Sequence, residues 1–374
     1  MSSERKDDHL RLAAAQAAGP RSGAGFDDVR FVHHALAGID VAAVDLTTRM
    51  PAGVWPVPLL INAMTGGSDT TGRVNRELAI AARETGLAIA SGSVSIALGD
   101  PSVARTFQVL RDENPDGYVF ANLGVERSAD DARRAVELLQ ADALQVHVNA
   151  VQEIVMPEGS RAFSGWQRSL AAIVAAVDVP VVVKEVGFGL SAETLTLLSE
   201  LGVAVADVSG RGGTDFVRVE NARRPAGDYD YLVGWGQTAV ACLLEAPADA
   251  PLLIASGGVR SPLDVVRALA LGAHAVGVSG GFLRTAIDGG ADALIAQIRD
   301  WQGHIAALCA LLGAASPGDL AHTDVLIGGE TAEYCRARGI DPASWATRRR
   351  AAGIRAAGIR MQGAETGSPR KEPA

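Results

Sequence analysis

The segment from His147 to Glu153 concentrates side chains that could bind an anion and a metal ion. His147 and Asn149 are two residues apart at the end of an apolar run, which predicts that both point to the same side of a β-strand. Gln152 and Glu153 follow in the next loop. One imidazole, two amides and one carboxylate suit an anionic substrate and a Mg²⁺ ion whose other ligands are substrate phosphates. The alternative is an interior polar cluster that satisfies itself; a zinc site would need more nitrogen or sulfur ligands.

Cationic residues occur at two further places. Lys184 ends an apolar run, where it could form a Schiff base, bind a phosphate or hold negative charge on a reduced flavin ring. Alternatively, Lys184 has only a structural role in an ion pair, for example with Glu185. Arg5, Lys6 and His9 are spaced to share one helix face, which is either a solvated surface or a cationic cluster for an anionic ligand.

The elements that position these residues begin near residue 58. Eight short apolar runs alternate with segments of helical periodicity, several of which start at cap-like residues such as Ser128, Ser191 and Ser261. Eight β-then-α units with continuously apolar strands predict an α/β fold of the (β/α)8 TIM-barrel class rather than a doubly wound sheet. The runs are 58–63, 87–91, 118–122, 143–148, 179–184, 203–208, 252–256 and 273–279.

The chain is expected to divide into three parts. Residues 1–57 would form an N-terminal arm with a helix and a cover for one end of the barrel, and 58–341 the barrel itself. Residues 211–234 are a long insertion after the sixth strand, of the kind that forms a lid or is disordered. Residues 342–374, rich in arginine and then in Gly, Ser and Pro, are predicted to be a disordered tail.

Glycines follow the last three strands. In this fold, active sites lie at the C-terminal ends of the strands, and the loops after strands seven and eight commonly bind a phosphate through backbone N–H groups. Gly-Gly pairs occur at 257–258 and 280–281, and a third precedes Thr214. Each pair alone is explained by a tight turn, but the three together indicate a cofactor that carries a phosphate.

The composition restricts the partners. Lys and Arg total 34 against 43 Asp and Glu, a net charge of −9, which argues against nucleic acid or an anionic membrane as a partner. Cys242, Cys309 and Cys335 lack metal-ligand spacing and indicate a reducing compartment without a disulfide framework. The N-terminal residues are charged, and the most apolar stretch, 171–183, is too short to span a bilayer. We therefore expect a cytoplasmic protein.

The motifs together resemble the FMN-dependent, type 2 isopentenyl-diphosphate isomerases over residues 4 to 341. Two segments are highly specific, His-x-Asn-x-x-Gln-Glu at 147–153 and Lys-Glu-Val-Gly-Phe-Gly at 184–189. Val94 and Ser95 depart from the family, in which Gln and Arg are frequent there, and Ser279 stands where Ala is common. The other matching segments are Arg5-Lys6-x-x-His9, 26–31, 62–67, 121–124, 157–163, 212–214, 235–236, 255–258 and 329–331.

The resemblance implies site residues, cofactors and an assembly. Arg5, Lys6 and Gln152 would contact the substrate, His147 and Asn149 would lie near its diphosphate, and Glu153 would hold Mg²⁺. FMN would work in its reduced form, with NADPH as the reductant. The family also implies a homo-oligomer whose N-terminal arm reaches a neighbouring subunit's site. The implied FMN contacts are Ala63, Met64, Thr65, Ser93, Asn122, Lys184, Ser209, Thr214, Gly258, Val259, Arg260, Ser279 and Gly280.

The implied reaction converts isopentenyl diphosphate to dimethylallyl diphosphate by adding a proton to the alkene and removing another, without net redox change. The residues expected to take part in catalysis are Lys184, His147, Asn149 and Gln152. Two alternatives remain at this point: an FMN-dependent 2-hydroxy-acid oxidase or dehydrogenase, which needs a base and an arginine for the carboxylate, and a non-catalytic barrel that binds FMN or a phosphate ligand.

Overall fold

Eight parallel strands close into a barrel in the computed structural model, which describes residues 3–17 and 23–353. The predicted (β/α)8 architecture is confirmed, because every apolar run contains a strand that pairs with the next one along the chain, and the last strand pairs with the first. The barrel strands are β4 Leu59–Ile61, β5 Ala88–Ala90, β6 Val119–Gly124, β7 Ala143–His147, β8 Val181–Lys184, β9 Val205–Asp207, β10 Leu252–Ser256 and β11 Ala275–Val278.

Helices surround the barrel and begin where the sequence predicts caps. The Ser128, Ser191 and Ser261 side chains each accept a hydrogen bond from the N–H group three residues later, which satisfies a donor of the first helical turn. The helices are α1 Ser3–Ala17, α2 Asp69–Thr85, α3 Ser95–Gly99, α4 Arg105–Glu113, α5 Ala129–Leu139, α6 Ala150–Val155, α7 Trp166–Val174, α8 Ala192–Glu200, α9 Phe216–Asn221, α10 Ala239–Glu245, α11 Pro262–Ala270, α12 Gly280–Leu311 with a break at Gly290, α13 Gly329–Ala337 and α14 Arg348–Ala351. Among the described residues, none of these helices has both the length and the apolar character needed to cross a membrane.

The core has two layers, because parallel strands covered on both faces are apolar on both faces. One layer fills the space between strands and helices. The other fills the inside of the barrel with one residue from each of several strands, including Leu60, Phe120, Ala143, Val182, Val205 and Ile254.

An antiparallel hairpin packs against the N-terminal end of the barrel. It consists of β2, Thr48–Met50, and β3, Gly53–Trp55. The fully buried Trp55 ring packs 5.8 Å from the Phe120 ring, and the Tyr118 hydroxyl donates to the Val54 carbonyl at 3.2 Å. A second two-stranded sheet pairs β1, Val29–Phe31, with β12, Val325–Ile327.

The prediction of a disordered tail from residue 342 is wrong for residues 342–353. A 3-10 helix, Pro342–Thr347, leads into α14. The Arg348 guanidinium donates to the carbonyls of Thr323 and Ala270 at 3.1 and 2.7 Å and lies over the Trp345 ring. These contacts hold a segment whose composition alone suggested a solvated chain. Residues 354–374 lie outside the described part.

The insertion at 211–234 is ordered rather than disordered. Val217 and Val219 of α9 are fully buried, and Asp215 caps the helix by accepting from two backbone N–H groups. The insertion packs on α6 and α1, so it forms part of the cover over the C-terminal mouth.

Candidate functional site

The C-terminal mouth of the barrel holds a cavity of about 400 Å³ covered by α1. Lys6, Leu10, Ala13 and Gln16 line it from this helix. The Gln16 side chain bonds both ways to the backbone of Asp215, at 2.8 and 3.2 Å, and so joins α1 to the insertion. The helix thus covers the barrel of its own chain. The expectation that the N-terminal arm reaches a neighbouring subunit concerns an assembly and stays a prediction.

A layer of polar side chains lies inside the barrel, and three of them, Asn122, Lys184 and Ser256, line the cavity. Each lies two residues beyond an inward-facing apolar residue of the same strand, so strand alternation directs it into the barrel one layer higher. Gly277 takes the corresponding place on β11, where a Cβ atom would lie 2.5 Å from the amide nitrogen of Asn62. The polar layer consists of Asn62, Asn122, Gln145, Lys184, Asp207 and Ser256.

Lys184 lies in this layer with its charge neutralised by Asp207. Its ammonium donates to Asp207 Oδ2 at 2.9 Å and to the hydroxyls of Ser209 and Ser256 at 3.0 and 3.4 Å. The Lys184 side chain is 8% exposed and that of Asp207 is fully buried. A buried charge is stable only when it is paired and hydrogen-bonded, and this one is both. The ion pair foreseen for Lys184 exists, but its partner is not the neighbouring Glu185.

Glu185 instead fixes the loop that follows β8. Its Oε2 accepts from the backbone N–H groups of Val186, Gly187 and Phe188 at 2.5 to 2.8 Å. Burial raises the pKa of Glu185 to about 8, against the lowering effect of these three hydrogen bonds. Val186 and Gly187 line the cavity, so the carboxylate shapes one of its walls.

His147 faces the cavity as a neutral imidazole. Its Nδ1 lies 2.9 Å from Asn122 Oδ1. Burial, with the positive charges of Lys6, Lys184 and Arg127, lowers the pKa of His147 to about 3. Lys6, which also lines the cavity, makes this side of it attractive to an anion.

Gln152 is held by a carboxylate that the sequence analysis did not assign, Glu220 of α9. Gln152 Nε2 donates to Glu220 Oε1 at 2.7 Å, and His9 of α1 lies 3.0 Å from the same oxygen. Arg223 donates to the other carboxylate oxygen. Glu220 therefore joins the insertion, α1 and α6 at one fully buried carboxylate.

The position of Asn149 differs from the expectation that it points to the same side of a strand as His147. Strand β7 ends at His147, and Asn149, with φ −147° and ψ 44°, is the N-cap residue before α6, so strand alternation does not extend to it. Its amide donates to Gln152 Oε1 at 3.2 Å and to Glu153 Oε1 at 3.1 Å. Asn149 thus supports Gln152 and Glu153 from outside the cavity lining.

Glu153 lies behind Gln152 at the edge of the site. It is half-buried, and its Oε2 accepts from the backbone N–H of Ser160 at 2.6 Å. The described residues contain no group of three or more His, Cys, Asp or Glu side chains that could hold a metal ion. A magnesium ion bound by Glu153 would therefore need ligands from a substrate or water.

Residues of the loops after β9, β10 and β11 line one part of the cavity. Gly258 has φ 76°, and a Cβ there would lie 2.4 Å from Ala24 Cβ and 2.9 Å from the Gly212 carbonyl oxygen. Only glycine fits so close an approach with a positive φ. Helix α12 begins after Ser279 with no side-chain cap, so its first N–H groups remain for an anion at the cavity.

The cavity brings together most of the residues predicted from the sequence, and it also includes Ser95, which accepts from Ser93 at 3.1 Å. Thr65, Asn149 and Glu153 lie outside its lining. The Arg5 side chain lies outside the described residues. The predicted residues in the lining are Lys6, Ala63, Met64, Ser93, Asn122, His147, Gln152, Lys184, Ser209, Thr214, Gly258, Val259, Arg260, Ser279 and Gly280.

A second cavity, of about 520 Å³, adjoins the phosphate loops and shares Gly258 and Arg260 with the first. Asp27, Asp28 and Glu330 line it, so it suits an anion less well than the mouth cavity does. The chemistry therefore centres on the mouth.

The barrel, its phosphate loops and the buried lysine define a flavoprotein barrel of the FMN-dependent dehydrogenase class, whose family model matches residues 127–326. Within this class, the chain belongs to the type 2 isopentenyl-diphosphate delta-isomerase family. An isopentenyl-diphosphate delta-isomerase of Kitasatospora griseola is 59% identical, over 95% of this chain and 97% of that protein. Proteins of the same name from Streptomyces sp. (strain CL190) and Staphylococcus haemolyticus are 57% and 47% identical, over 91% and 90% of this chain and 94% and 97% of their own lengths.

Solved structures support the fold at lower identity. A flavocytochrome b2 mutant with benzoylformate superimposes with a TM-score of 0.64 at 19% identity, over 90% of this chain and 85% of that chain. A mandelate oxidase variant gives 0.60 at 17% identity, over 87% and 98%. At this level of identity the likeness is one of fold alone.

Proposed function

We propose that this protein isomerises isopentenyl diphosphate to dimethylallyl diphosphate, with bound FMN in its reduced form. The observation that carries the proposal is that one cavity joins Lys6, His147 and Gln152 to Lys184 and the glycine loops. This arrangement offers one region for a substrate anion and another for a phosphate-bearing cofactor. The relatives named above carry the name of this activity.

The residues present fit FMN. The uncapped start of α12 suits its phosphate because it offers free N–H groups at the cavity, which Gly258 also lines. Lys184 is a buried cation that would stabilise negative charge on the ring system. Bound reduced FMN would supply an electron-rich surface for a cationic transition state and a group able to exchange a proton with the alkene. Ala63, Met64, Ser93, Asn122, Ser209, Thr214, Val259 and Arg260 would complete its site.

The chain's own residues would bind and orient the substrate. Lys6 would attract the diphosphate together with Arg5, and Gln152, held by Glu220 at 2.7 Å, would present its amide in one orientation. Glu153 would bind Mg²⁺, and the diphosphate would supply further ligands to the same ion. Asn149, whose amide donates to Gln152 and Glu153, would support both of these side chains. Helix α1 would exclude water once the substrate is in place, which strengthens every electrostatic contact beneath it.

NADPH as the reductant, a homo-oligomeric assembly and a cytoplasmic location remain parts of this proposal that rest on the family resemblance. The three cysteines are free and buried, a state that a reducing compartment would preserve. The net charge of −9 does not favour nucleic acid or an anionic membrane as a partner.

The chief alternative is oxidation of a 2-hydroxy acid, which has support only from solved structures at 17–20% identity. That chemistry needs an arginine for the carboxylate beside a base. In the lining of the mouth cavity, Arg260 lies among the phosphate loops and donates toward the Gly212 carbonyl at 3.4 Å. On the substrate side, the described lining carries Lys6, His147 and Gln152, so a base is present there but the carboxylate-binding arginine is not.

One experiment separates these functions and a purely binding barrel. The purified protein is reduced anaerobically with NADPH, isopentenyl diphosphate and Mg²⁺ are added in D2O, and the product is followed by NMR. We expect dimethylallyl diphosphate with deuterium incorporation and no stoichiometric use of NADPH. Flavin reduction by mandelate or lactate, without isomerisation, would support the oxidase, and an inert flavoprotein would support the binding module.

A further inference from the structure

A continuous chain of hydrogen bonds runs from Asp207 to His147 through the polar layer, and its direction is set at Asp207. The carboxylate accepts from Lys184 Nζ at 2.9 Å, Asn62 Nδ2 at 2.6 Å, Ser256 Oγ at 2.6 Å and the Ser209 N–H at 3.2 Å. An ammonium, an amide NH2 and a backbone N–H can only donate. Asp207 is therefore an acceptor throughout, and Asn62 must turn its NH2 group toward it.

The orientation of Asn62 is fixed a second time, because its Oδ1 accepts from the backbone N–H of Ala63 at 2.8 Å. The same oxygen then accepts from Gln145 Nε2 at 3.2 Å. The Gln145 oxygen is left to accept from Asn122 Nδ2 at 2.8 Å. Asn122 Oδ1 consequently faces His147 Nδ1, 2.9 Å away, and this oxygen can only accept.

We propose that Asp207 is a positioning residue that, through the amides of Asn62, Gln145 and Asn122, holds His147 in the tautomer with its proton on Nδ1. Asn62 and Gln145 are fully buried and Asn122 nearly so, and a reversed amide at such a position would lose its hydrogen-bond partners in the protein. His147 lines the cavity, and Nε2 of this tautomer is an acceptor.

The tautomer has a consequence for ligand binding, which rests on the proposed function. A diphosphate oxygen that approaches Nε2 meets a lone pair rather than a proton. Burial opposes protonation of the ring most strongly, the cations Lys6, Lys184 and Arg127 add to this effect, and the Leu123 carbonyl favours protonation. A diphosphate oxygen bound at Nε2 would offset the cations and accept a hydrogen bond from the ring, so we expect His147 to take up a proton on Nε2 when the substrate binds.

The tautomer can be read directly by NMR. The FMN-loaded protein is labelled with 15N-histidine, and a long-range 1H–15N correlation spectrum is recorded at neutral pH without substrate. Of the seven histidines, His147 is assigned by the signal lost in His147→Gln. We expect a protonated, pyrrole-like Nδ1 and an unprotonated, pyridine-like Nε2. The opposite pattern, or an even mixture, would overturn the proposal.

Two variants of one residue test the chain of hydrogen bonds. Gln145→Met keeps the length of the side chain but removes both links, so we expect the His147 signals to shift toward a mixture of tautomers. Gln145→Glu keeps an acceptor toward Asn122, and we expect the original tautomer to persist. An unchanged spectrum in a folded Gln145→Met protein would refute the role of Asp207.

Isopentenyl diphosphate with Mg²⁺ is then added to the unsubstituted protein. Protonation of His147 Nε2 supports the consequence for binding. If the expected tautomer is seen in the free protein but the ring stays neutral with the ligand bound, the role of Asp207 stands and the diphosphate contact of His147 is refuted. Absence of any ligand response, with the tautomer as expected, contradicts the proposed function alone.

Discussion

The Gln152 amide donates to the Glu220 carboxylate across 2.7 Å, and this contact joins a helix of the barrel to the insertion that covers its mouth. Glu220 is fully buried, and His9 and Arg223 contact it from two other directions. The orientation of the Gln152 amide is therefore fixed before any ligand binds. Several predictions about the site depend on contacts of this kind.

Glu220→Gln should weaken both stability and activity. Loss of the carboxylate leaves the guanidinium of Arg223 without one of its two acidic partners, and breaking a buried ion pair costs about 3 kcal/mol. We expect a lower Tm and a kcat/KM reduced by about tenfold, equivalent to about 1.4 kcal/mol. The matched control is Glu158→Gln, which removes the more exposed partner of Arg223 and should cost much less.

The pH dependence of this loss has a defined sign. Burial alone would raise the pKa of Glu220, but hydrogen bonds from His9, Gln152 and Arg223 outweigh it, and the pKa lies below its ordinary value of 4.5. The stabilisation is therefore fully present above that ordinary value and is lost as the pH falls through the lowered one. The Tm difference between the unsubstituted protein and Glu220→Gln should shrink between pH 7 and pH 3; a constant difference would contradict this.

Asp207→Asn should raise the reduction potential of bound FMN. The substitution removes the negative charge 2.9 Å from the Lys184 ammonium, so more of the lysine's positive field acts on the flavin. We expect an increase of about 30 mV or more, equivalent to about 1.4 kcal/mol for a two-electron couple, in a spectroelectrochemical titration. Ser256→Ala, which removes a neutral neighbour of the same carboxylate, should leave the potential nearly unchanged. A lower potential in Asp207→Asn would contradict the assignment of Lys184.

Glu153→Gln should raise the Mg²⁺ concentration needed for half-maximal activity by tenfold or more while FMN stays bound. The carboxylate lies outside the lining of the cavity, so its loss leaves the flavin contacts in place. An amide retains the acceptor for the Ser160 N–H but lacks the charge that a hard cation requires. Activity is measured over a magnesium series and flavin content by absorbance. Simultaneous loss of flavin would refute the metal role.

Gly258→Ala should abolish FMN binding, whereas Gly281→Ala should be tolerated. The added methyl group at 258 meets Ala24 Cβ at 2.4 Å at a φ of 76°, but at 281 the nearest atom lies 3.8 Å away on Val278. Both substitutions are made in loops that line the cavity, so their difference isolates the effect of the tight contact at Gly258 on the FMN site. Flavin content after reconstitution measures the outcome, and equal flavin content in the two variants would count against the proposed phosphate position.

Most of the barrel could be predicted because each strand is an apolar run that ends in polar or glycine residues. The partner of Lys184 is not its neighbour in the sequence, Glu185, because consecutive residues of a strand point to opposite faces of the sheet. Its partner therefore has to come from another strand. The i+2 position above each inward apolar residue was a usable signal for the polar layer, and with it for Asp207.

Other features had no local signal. Glu220 lies 68 residues from Gln152, in an insertion without strand pattern, so only the folded chain brings the two together. The order of residues 342–353 could not be predicted because an arginine-rich composition is typical of solvated chain. It does not reveal that Arg348 donates to two carbonyl groups of distant residues. Asn149 was misplaced because its strand ends two residues earlier than the alternation assumed.

The hairpin that carries Trp55 seals one end of the barrel, and α1 lies across the other. Because the hairpin covers the N-terminal end, we expect substrate, product and FMN to enter and leave at the C-terminal mouth, beside α1. The rate at which FMN dissociates from the protein without substrate should therefore report how often α1 undocks from the barrel. This rate can be measured without catalysis.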